Sequence, residues 1–328
     1  MRNTMATWRA ALLALLTAAA LTACAGAADE DRAGGEGDRS ASPGAEARDP
    51  HASRTPTTSA THRPSPGSSA PASPTTRPAT QSPSAKGGPT GSTRSAGWWR
   101  PKPGLDWQWQ LDGRADQSVD VSVYDIDGFE NSAADVARLH RSGRKVICYI
   151  NVGAWEDFRP DKAAFPASVL GSGDDWDGER WLDVRQIAVL KPIMAQRFDM
   201  CRAKGFDAVE PDLVEAYNND SGFAITAADQ LAYNRMIAKL AHERGMAVGL
   251  KNDLPQIPAL LEDFDFAVNE ECAEYDECGE LTPFVEAGKA VFHVEYEVPA
   301  SDFCADARRL GLSSMEKKLE LGVWRKAC

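Results

Sequence analysis

Short apolar runs alternate with helix-forming segments across the last two thirds of this 328-residue chain, and this alternation is its strongest structural constraint. Repeated strand–helix units are typical of a parallel sheet covered by helices. The predicted strands are 119–124, 145–150, 181–184, 208–210, 246–250, 265–268, 290–294 and 313–316. The predicted helices are 132–142, 188–204, 227–244, 255–262, 281–287 and 301–310.

Eight strands are the number that a closed (β/α)8 TIM barrel requires, so the sequence predicts an α/β fold of that kind. An open, doubly wound parallel sheet is the alternative. No glycine-rich phosphate-binding loop follows a predicted strand, which argues against a nucleotide-binding version of that alternative.

The N-terminal part has a different composition and is interpreted separately. Residues 1–23 combine early arginines with an apolar run too short to span a bilayer, which predicts a signal peptide. Small residues before Cys24 resemble a bacterial lipobox, in which Cys24 is lipidated; ordinary signal cleavage and secretion is the alternative. Residues 24–96, rich in Ser, Thr, Pro and Gly, predict a disordered linker, which leaves 97–328 as a single domain. The expected location is the extracellular face of the cell membrane, with the lipid as the only membrane contact.

Cysteine content fits an oxidising compartment, because six cysteines remain when Cys24 is set aside. Six cysteines permit 15 connectivities. Cys272 with Cys278 would close a short loop, and Cys304 with Cys328 would hold the C-terminus. Cys148 and Cys201 are left as a third pair, or as two buried thiols. No spacing matches a known zinc site, so no metal is expected.

The charge of the chain excludes some partners and favours others. From residue 97 onward there are 26 Lys and Arg against 41 Asp and Glu. An acidic domain is a poor partner for nucleic acid, and it favours a cationic ligand if the charge is focused in a cleft. Only five histidines are present, and His293 is the one on a predicted strand, where a buried core role is expected. A histidine triad is therefore not expected, and neither is a cofactor.

Polar side chains follow most of the predicted strands at their carboxyl ends, where barrel enzymes place their active sites. The stretch 205–212 is the most informative, because a short apolar core runs into Glu210, Pro211 and Asp212. The other candidates are Asp125, Tyr149, Lys251, Asn252, Glu270, Glu271, Glu295 and Tyr296. Abundant carboxylates with few histidines match glycoside hydrolysis, in which one carboxyl group attacks or activates water and a second protonates the leaving oxygen.

These motifs resemble glycoside hydrolase family 114, the endo-α-1,4-polygalactosaminidases, over residues 107–328. The matching segments are 107–111, 124–125, 146–153, 205–212, 250–252, 269–272 and 324–328. The chain departs from the family after residue 212, where Leu213, Glu215 and Ala216 replace the usual Asn, Asp and Gly. This departure concerns local substrate contacts more than the reaction.

The resemblance implies a retaining, endo-acting hydrolase of α-1,4-linked galactosamine polymers, with Asp212 as nucleophile and Glu270 as acid/base. Glu210 rivals Asp212 on chemistry, although a position inside the strand suits a supporting role. Glu271 rivals Glu270, because adjacent strand residues point to opposite faces. The expected substrate is a polysaccharide, partly deacetylated and cationic, and the expected state is a monomer.

The remaining candidates are expected to hold the sugar: Asp125, Tyr149, Glu210, Lys251, Asn252, Glu295 and Tyr296. Among them, Asp125 is matched to the protonated 2-amino group of galactosamine. Lys251 is expected to hold the nucleophile ionised. Trp155 and Trp176 are candidates for stacking on sugars, whereas Trp107 and Trp109 are expected to close the barrel bottom or to pack in the core.

Two other functions remain open from the sequence. One is a lipoprotein that binds polysaccharide without cutting it, although both carboxylates are present. The other is an exo-acting, α-galactosidase-like hydrolase, which would release monosaccharide instead of oligomers.

Overall fold

The computed structural model describes residues 97–174 and 176–328, and the elements below are those of this part of the chain. The strands are β1 Trp107–Gln110, β2 Val123–Asp127, β3 Lys145–Asn151, β4 Ala154–Glu156, β5 Leu170–Gly173, β6 Glu179–Leu182, β7 Ala208–Asp212, β8 Ala247–Lys251, β9 Phe266–Glu270, β10 Val291–Glu295, β11 Ser313–Glu316 and β12 Lys326–Ala327. The helices are α1 Ala133–Arg141, α2 Ile187–Lys204, α3 Ala227–Glu243, α4 Ile257–Leu260, α5 Thr282–Glu286 and α6 Ala300–Leu310. The predicted signal peptide, the lipidation site Cys24 and the predicted linker lie outside the described residues.

Eight parallel strands form the barrel predicted from the sequence, in the order β1-β2-β3-β7-β8-β9-β10-β11, and β12 is antiparallel to β11. The two edge strands of the barrel, β1 and β11, are not paired in a strand ladder. They are joined by a side-chain hydrogen bond and by bonds from β1 to the C-terminal segment. The indole N–H of Trp107 donates to the Ser313 carbonyl at 2.9 Å, and the amide of Gln108 donates to the Val323 carbonyl at 2.8 Å. The backbone N–H of Leu111 donates to the Leu321 carbonyl at 3.0 Å. The (β/α)8 prediction is therefore confirmed.

One member of the predicted strand set is wrong. The segment 181–184 was expected in the barrel, but β6 belongs to a separate antiparallel sheet of order β4-β6-β5, inserted between β3 and α2. The missing barrel strand is β1. Its alternating Trp and Gln residues do not read as an apolar run, yet all four are buried because the glutamine amides bond to backbone carbonyls.

Helix boundaries follow standard capping chemistry. Ser132 begins α1 and Thr226 begins α3, and each forms a capping box with an aspartate three residues later. Helices α2 and α6 end at Gly205 and Gly311, which adopt left-handed φ values of 92° and 79°. No helix among the described residues is long and apolar enough to cross a membrane.

Aromatic side chains fill the interior of the barrel below its carboxyl end. The rings of Trp107 and Phe292 lie 4.9 Å apart, and Phe266 packs edge-on against Phe292. Gly249 makes this packing possible, since a Cβ there would lie 2.4 Å from the Phe266 ring. The aromatic plug leaves the carboxyl end as the open end of the barrel.

All three expected disulfides are formed: Cys148–Cys201, Cys272–Cys278 and Cys304–Cys328. The first joins β3 to α2 across the inserted sheet. The last joins α6 to the segment that closes the barrel.

Candidate active site

Three adjacent strands end in charged side chains that meet at one point. Asp212 ends β7, Lys251 ends β8 and Glu270 ends β9. The Lys251 ammonium lies 2.7 Å from Asp212 Oδ1 and 3.0 Å from Glu270 Oε2. These two carboxylate oxygens are therefore at most 5.7 Å apart, the two N–O distances laid end to end. Convergence of parallel strand ends explains why residues distant in sequence meet here.

Asp212 is held as an anion. Its Oδ2 accepts a hydrogen bond of 2.7 Å from the Tyr149 hydroxyl, while Lys251 donates to Oδ1. Burial by itself would raise the pKa of Asp212, but the Lys251 charge and these hydrogen bonds outweigh it and lower that pKa. Burial and the Asp212 charge raise the pKa of Tyr149 well above its ordinary value, so the hydroxyl stays a donor.

Glu270 has a different set of partners. The Tyr296 hydroxyl donates to Oε1 at 2.5 Å, and the Asn252 amide donates to Oε2 at 3.2 Å. The side-chain oxygen of the same amide, Asn252 Oδ1, accepts a hydrogen bond of 3.0 Å from the backbone N–H of Glu270. Asn252 thus fixes both ends of this residue. Of the two adjacent glutamates, Glu270 is the one that contacts Lys251. Glu271 has a left-handed backbone conformation, with φ 63°.

Backbone strain is concentrated directly after these strand ends. Leu213, Asn252, Asp253 and Glu271 all have positive φ without being glycine. Such residues persist where the surrounding structure demands them, often at functional sites. The backbone of Leu213 can approach residue 153 closely only because that residue is glycine, since a Cβ on Gly153 would lie 1.6 Å from the Leu213 carbonyl oxygen.

Glu210 and Asp125 lie deeper in the barrel than expected for sugar-binding residues, and both are completely buried. The indole N–H of Trp109 donates to Glu210 Oε2 at 3.0 Å, and Lys251 lies 3.5 Å from Glu210 Oε1. Asp125 neighbours Glu210, and neither of its carboxyl oxygens receives an N–H or hydroxyl hydrogen bond among the described residues. The expectation that Asp125 meets the amino group of the substrate therefore needs correction, since no surface of Asp125 is open to a ligand.

Glu295 is also absent from the site. It is completely buried on the outer face of β10, where it accepts from the Ala273 backbone N–H at 2.7 Å and lies 2.7 Å from His293 Nε2. His293 also contacts Ser314 and packs edge-on against Phe303, as expected of a core residue. Strand alternation explains the result, because Tyr296, one residue later, reaches Glu270.

One group of potential metal ligands lies together in the described part of the chain. Cys272, Cys278, His293 and Glu295 have ligand atoms within 4.8 Å of one another. The two sulfurs are joined in a disulfide, which leaves them without the thiolate character that metal binding needs. This group is on the outer face of the barrel and takes no part in the candidate active site.

Two acidic residues near the site were not found from the sequence. Glu179, on the inserted sheet, accepts from the Asn151 amide at 3.0 Å; burial and then neighbouring carboxylates, Asp212 among them, raise its pKa to about 9. Glu215 follows β7, and burial with the Asp212 charge raises its pKa to about 8. The departure at residue 215 was a signal for the second. The first had none, because the insertion hides its spatial position.

The two candidate stacking tryptophans differ in exposure. Trp176 lies between β5 and β6 and is 44% exposed. Trp155 is only partly exposed, and its indole N–H donates to the Lys162 carbonyl at 3.0 Å.

A (β/α)8 barrel with paired carboxylates at the carboxyl ends of its strands defines the class of this protein, a glycoside hydrolase. The sequence profile of glycoside hydrolase family GH114 matches residues 88–328, and the chain belongs to that family.

Comparison with solved structures agrees with this assignment. The crystal structure of Ega3 from Aspergillus fumigatus in complex with galactosamine is 41% identical, with a TM-score of 0.67, over 70% of this chain and 97% of that one. The glycoside hydrolase domain of PelA from Pseudomonas aeruginosa is 14% identical with a TM-score of 0.53, over 68% of this chain and 98% of that one. The second likeness concerns the fold alone.

A curated relative matches a smaller part. An uncharacterized protein of Deinococcus radiodurans is 33% identical over 132 residues, or 38% of this chain. The match spans 41% of the length of that relative.

Proposed function

We propose that this glycoside hydrolase cleaves internal α-1,4 bonds of galactosamine-containing polysaccharide with retention of configuration. The observation that carries the mechanism is the limit of 5.7 Å between Asp212 Oδ1 and Glu270 Oε2. Retaining glycosidases have carboxyl groups about 5–5.5 Å apart, whereas inverting enzymes need about 6.5–9.5 Å for a water molecule. Because Asp212 and Glu270 both contact Lys251, their separation supports the retaining class.

Asp212 is the proposed nucleophile. Its lowered pKa keeps an anion facing the anomeric carbon, and the bond formed there replaces the bond to the leaving oxygen. Glu270 is the proposed acid/base, which protonates the leaving oxygen. Asn252 donates to Glu270 Oε2 and the Lys251 ammonium lies 3.0 Å from it, so the proton is assigned to Oε1, which also accepts from the Tyr296 hydroxyl.

The second step returns both groups to their starting states. Water attacks the anomeric carbon of the glycosyl-Asp212 ester, Glu270 takes a proton from that water, and the Asp212 carboxylate leaves. Lys251 and Tyr149 stabilise the returning charge on Asp212. Glu210 is a weaker candidate for the nucleophile, because it is completely buried beneath Asp212.

The substrate assignment has two supports. Ega3, at 41% identity, was crystallised with galactosamine. The acidic net charge of the domain suits a polymer carrying free amino groups. We therefore propose a partly deacetylated polymer, whose binding weakens as salt concentration rises.

The location and assembly state are part of the same proposal. Three disulfides suit an oxidising compartment, and the residues before Cys24 suit lipidation. We propose a monomer anchored by lipid at the extracellular face of the membrane.

The test is product analysis with the full-length protein on partly deacetylated α-1,4-galactosaminan. Wild type should release oligomers before monosaccharide, and the first product seen by NMR should be the α-anomer. Asp212→Asn and Glu270→Gln should abolish release while folding normally, with Glu271→Gln as matched control. Early monosaccharide would favour exo action, β-anomer would exclude retention, and binding without cleavage would exclude the enzyme.

A further inference from the structure

A second layer of charged groups lies directly beneath the proposed catalytic pair. Asp125 on β2 and Glu210 on β7 are neighbouring carboxyl groups that are both completely buried, and neither Asp125 oxygen nor Glu210 Oε1 has an N–H or hydroxyl donor among the described residues. Trp109 covers this layer from β1: its indole N–H donates to Glu210 Oε2 at 3.0 Å, and its ring lies 5.0 Å from the Lys251 ammonium. Lys251 is the link between the two layers.

Two carboxyl groups can hydrogen-bond to each other only if one of them carries a proton. Glu210 already has two partners for a negative charge, since the Trp109 indole N–H donates to Oε2 and the Lys251 ammonium forms an ion pair with Oε1 at 3.5 Å; Oε1 itself accepts no N–H or hydroxyl hydrogen bond. No N–H or hydroxyl group in the described residues donates to either oxygen of Asp125. The proton therefore belongs to Asp125, and the charge belongs to Glu210.

The surrounding charges lead to the same assignment. The other ionisable groups that act on this pair are Asp212, Lys251, Glu270 and Tyr296. Four carboxylates around one buried ammonium would leave a large uncompensated charge in the barrel, so one carboxyl group is held neutral. Burial, followed by the Glu210 charge, raises the pKa of Asp125 well above its ordinary value. The pKa of Glu210 rises less, to about 7.

We propose that Asp125 is a permanent carboxylic acid that donates its hydrogen to Glu210, and that the two act as positioning residues for Lys251. Glu210 supplies one negative charge below the ammonium, and Asp125 orients that carboxylate without adding a second charge. The ammonium is thereby held between Asp212 and Glu270. The positioning role rests on the proposed function of those two residues, whereas the protonation of Asp125 does not.

Three variants of the full-length protein separate this role from others. In Asp125→Asn, the amide still donates to Glu210 and is neutral like the acid it replaces. We expect kcat/KM to fall by less than about threefold, with the alkaline limb of the pH profile unmoved. Asp125→Ala removes the donor and should lower kcat/KM roughly tenfold or more. Glu210→Gln removes the charge and should move the alkaline limb about one unit toward acid, because the site then carries one negative charge fewer.

A spectroscopic readout tests the protonation without relying on catalysis. The infrared spectrum of wild type at pH 7 should contain the carbonyl band of a buried carboxylic acid. The Asp125 component of that band should be lost in Asp125→Asn and retained in the inactive Glu270→Gln, while Glu179 and Glu215, with pKa values of about 9 and 8, absorb in every variant and cancel in the difference spectrum. If the proposed function fails but the band behaves in this way, the assignment of the proton stands.

Two results would overturn the proposal. One is an Asp125→Asn infrared spectrum that has lost no carboxylic acid absorption relative to wild type. The other is an Asp125→Asn variant that raises KM for deacetylated oligomers but not for acetylated ones, since this would make Asp125 a contact for the substrate amino group. Thermal unfolding of Asp125→Ala controls for loss of structure, and Asp125→Asn keeps the test decisive if that variant does not fold.

Discussion

Replacing Tyr149 by phenylalanine removes one hydrogen bond to the proposed nucleophile and leaves the ring in place. The Tyr149 hydroxyl donates to Asp212 Oδ2 at 2.7 Å. A hydrogen bond to a charged group contributes about 1.5–3 kcal/mol, and about 1.4 kcal/mol corresponds to one pKa unit. The Asp212 side chain is 14% exposed, so water replaces part of the loss. We expect its pKa to rise by about one unit.

The assay is the pH dependence of kcat/KM on a soluble oligomer. The Tyr149→Phe variant should show its acid limb about one unit above that of wild type, because Asp212 then accepts a proton more readily. The loss of activity should be greatest at low pH and smallest on the alkaline side.

Stability should follow the same linkage. The pKa of Asp212 is lowered in the folded protein, so its ionised form stabilises the fold above the unfolded pKa and ceases to do so as pH falls through the folded pKa. The difference in unfolding free energy between wild type and Tyr149→Phe should therefore be full at neutral pH and vanish in acid.

Tyr233→Phe is the matched control. The Tyr233 hydroxyl donates to the Val152 carbonyl at 2.7 Å, and Tyr233 is buried, whereas Tyr149 is half-buried. It should cost about 1 kcal/mol of stability at every pH without moving the acid limb. An unmoved acid limb in Tyr149→Phe, with activity lost evenly across pH, would refute the argument that this hydroxyl keeps Asp212 ionised.

Three further predictions concern the acid/base, the disulfides and the pH dependence of stability. Glu270→Gln should lower kcat on polysaccharide roughly 10²–10⁴-fold, while activity on an aryl glycoside, whose leaving group needs no acid, should fall far less; equal losses would argue against an acid role. Replacing both cysteines of Cys304–Cys328, 24 residues apart, should cost about 3.5 kcal/mol by loop entropy. The equivalent change at Cys272–Cys278, 6 residues apart, should cost about 2 kcal/mol, and denaturant unfolding that reverses this order would contradict the loop argument. Stability should fall as pH rises from about 4 to 9, because carboxyl groups such as Glu215 with raised pKa values keep protons that the unfolded chain releases; Glu215→Gln should flatten this slope in urea unfolding at pH 5 and 8.

The β/α alternation predicted seven of the eight barrel strands and the rim at which most of the candidate site residues meet. Tyr149, Lys251, Asn252 and Tyr296 meet around the two carboxylates because the carboxyl ends of parallel strands converge on one rim. The same rule does not predict how deep inside the barrel a given side chain lies. The strand near Asp125 was predicted to end at residue 124 but runs to Asp127, so Asp125 lies inside the barrel and not at its rim.

Two other differences have equally local causes. Glu295 lies one position from Tyr296, and a shift of one residue reverses the face of a strand. The strand β1 was missed because its glutamines are buried by hydrogen bonds to backbone that the sequence does not reveal. Tertiary context therefore determined which face of its strand Glu295 occupies, and it determined the burial of the β1 glutamines.

The disulfide Cys148–Cys201 has a consequence for engineering. It joins β3 to α2 on either side of the inserted sheet, so this strand and this helix stay covalently joined whatever lies between them. The insertion also supplies Glu179, whose pKa is raised to about 9 by burial and by neighbouring carboxylates that include Asp212. We expect residues 152–186 to be exchangeable as a cassette between relatives, which would allow substrate preference to be recombined without redesign of the catalytic strands.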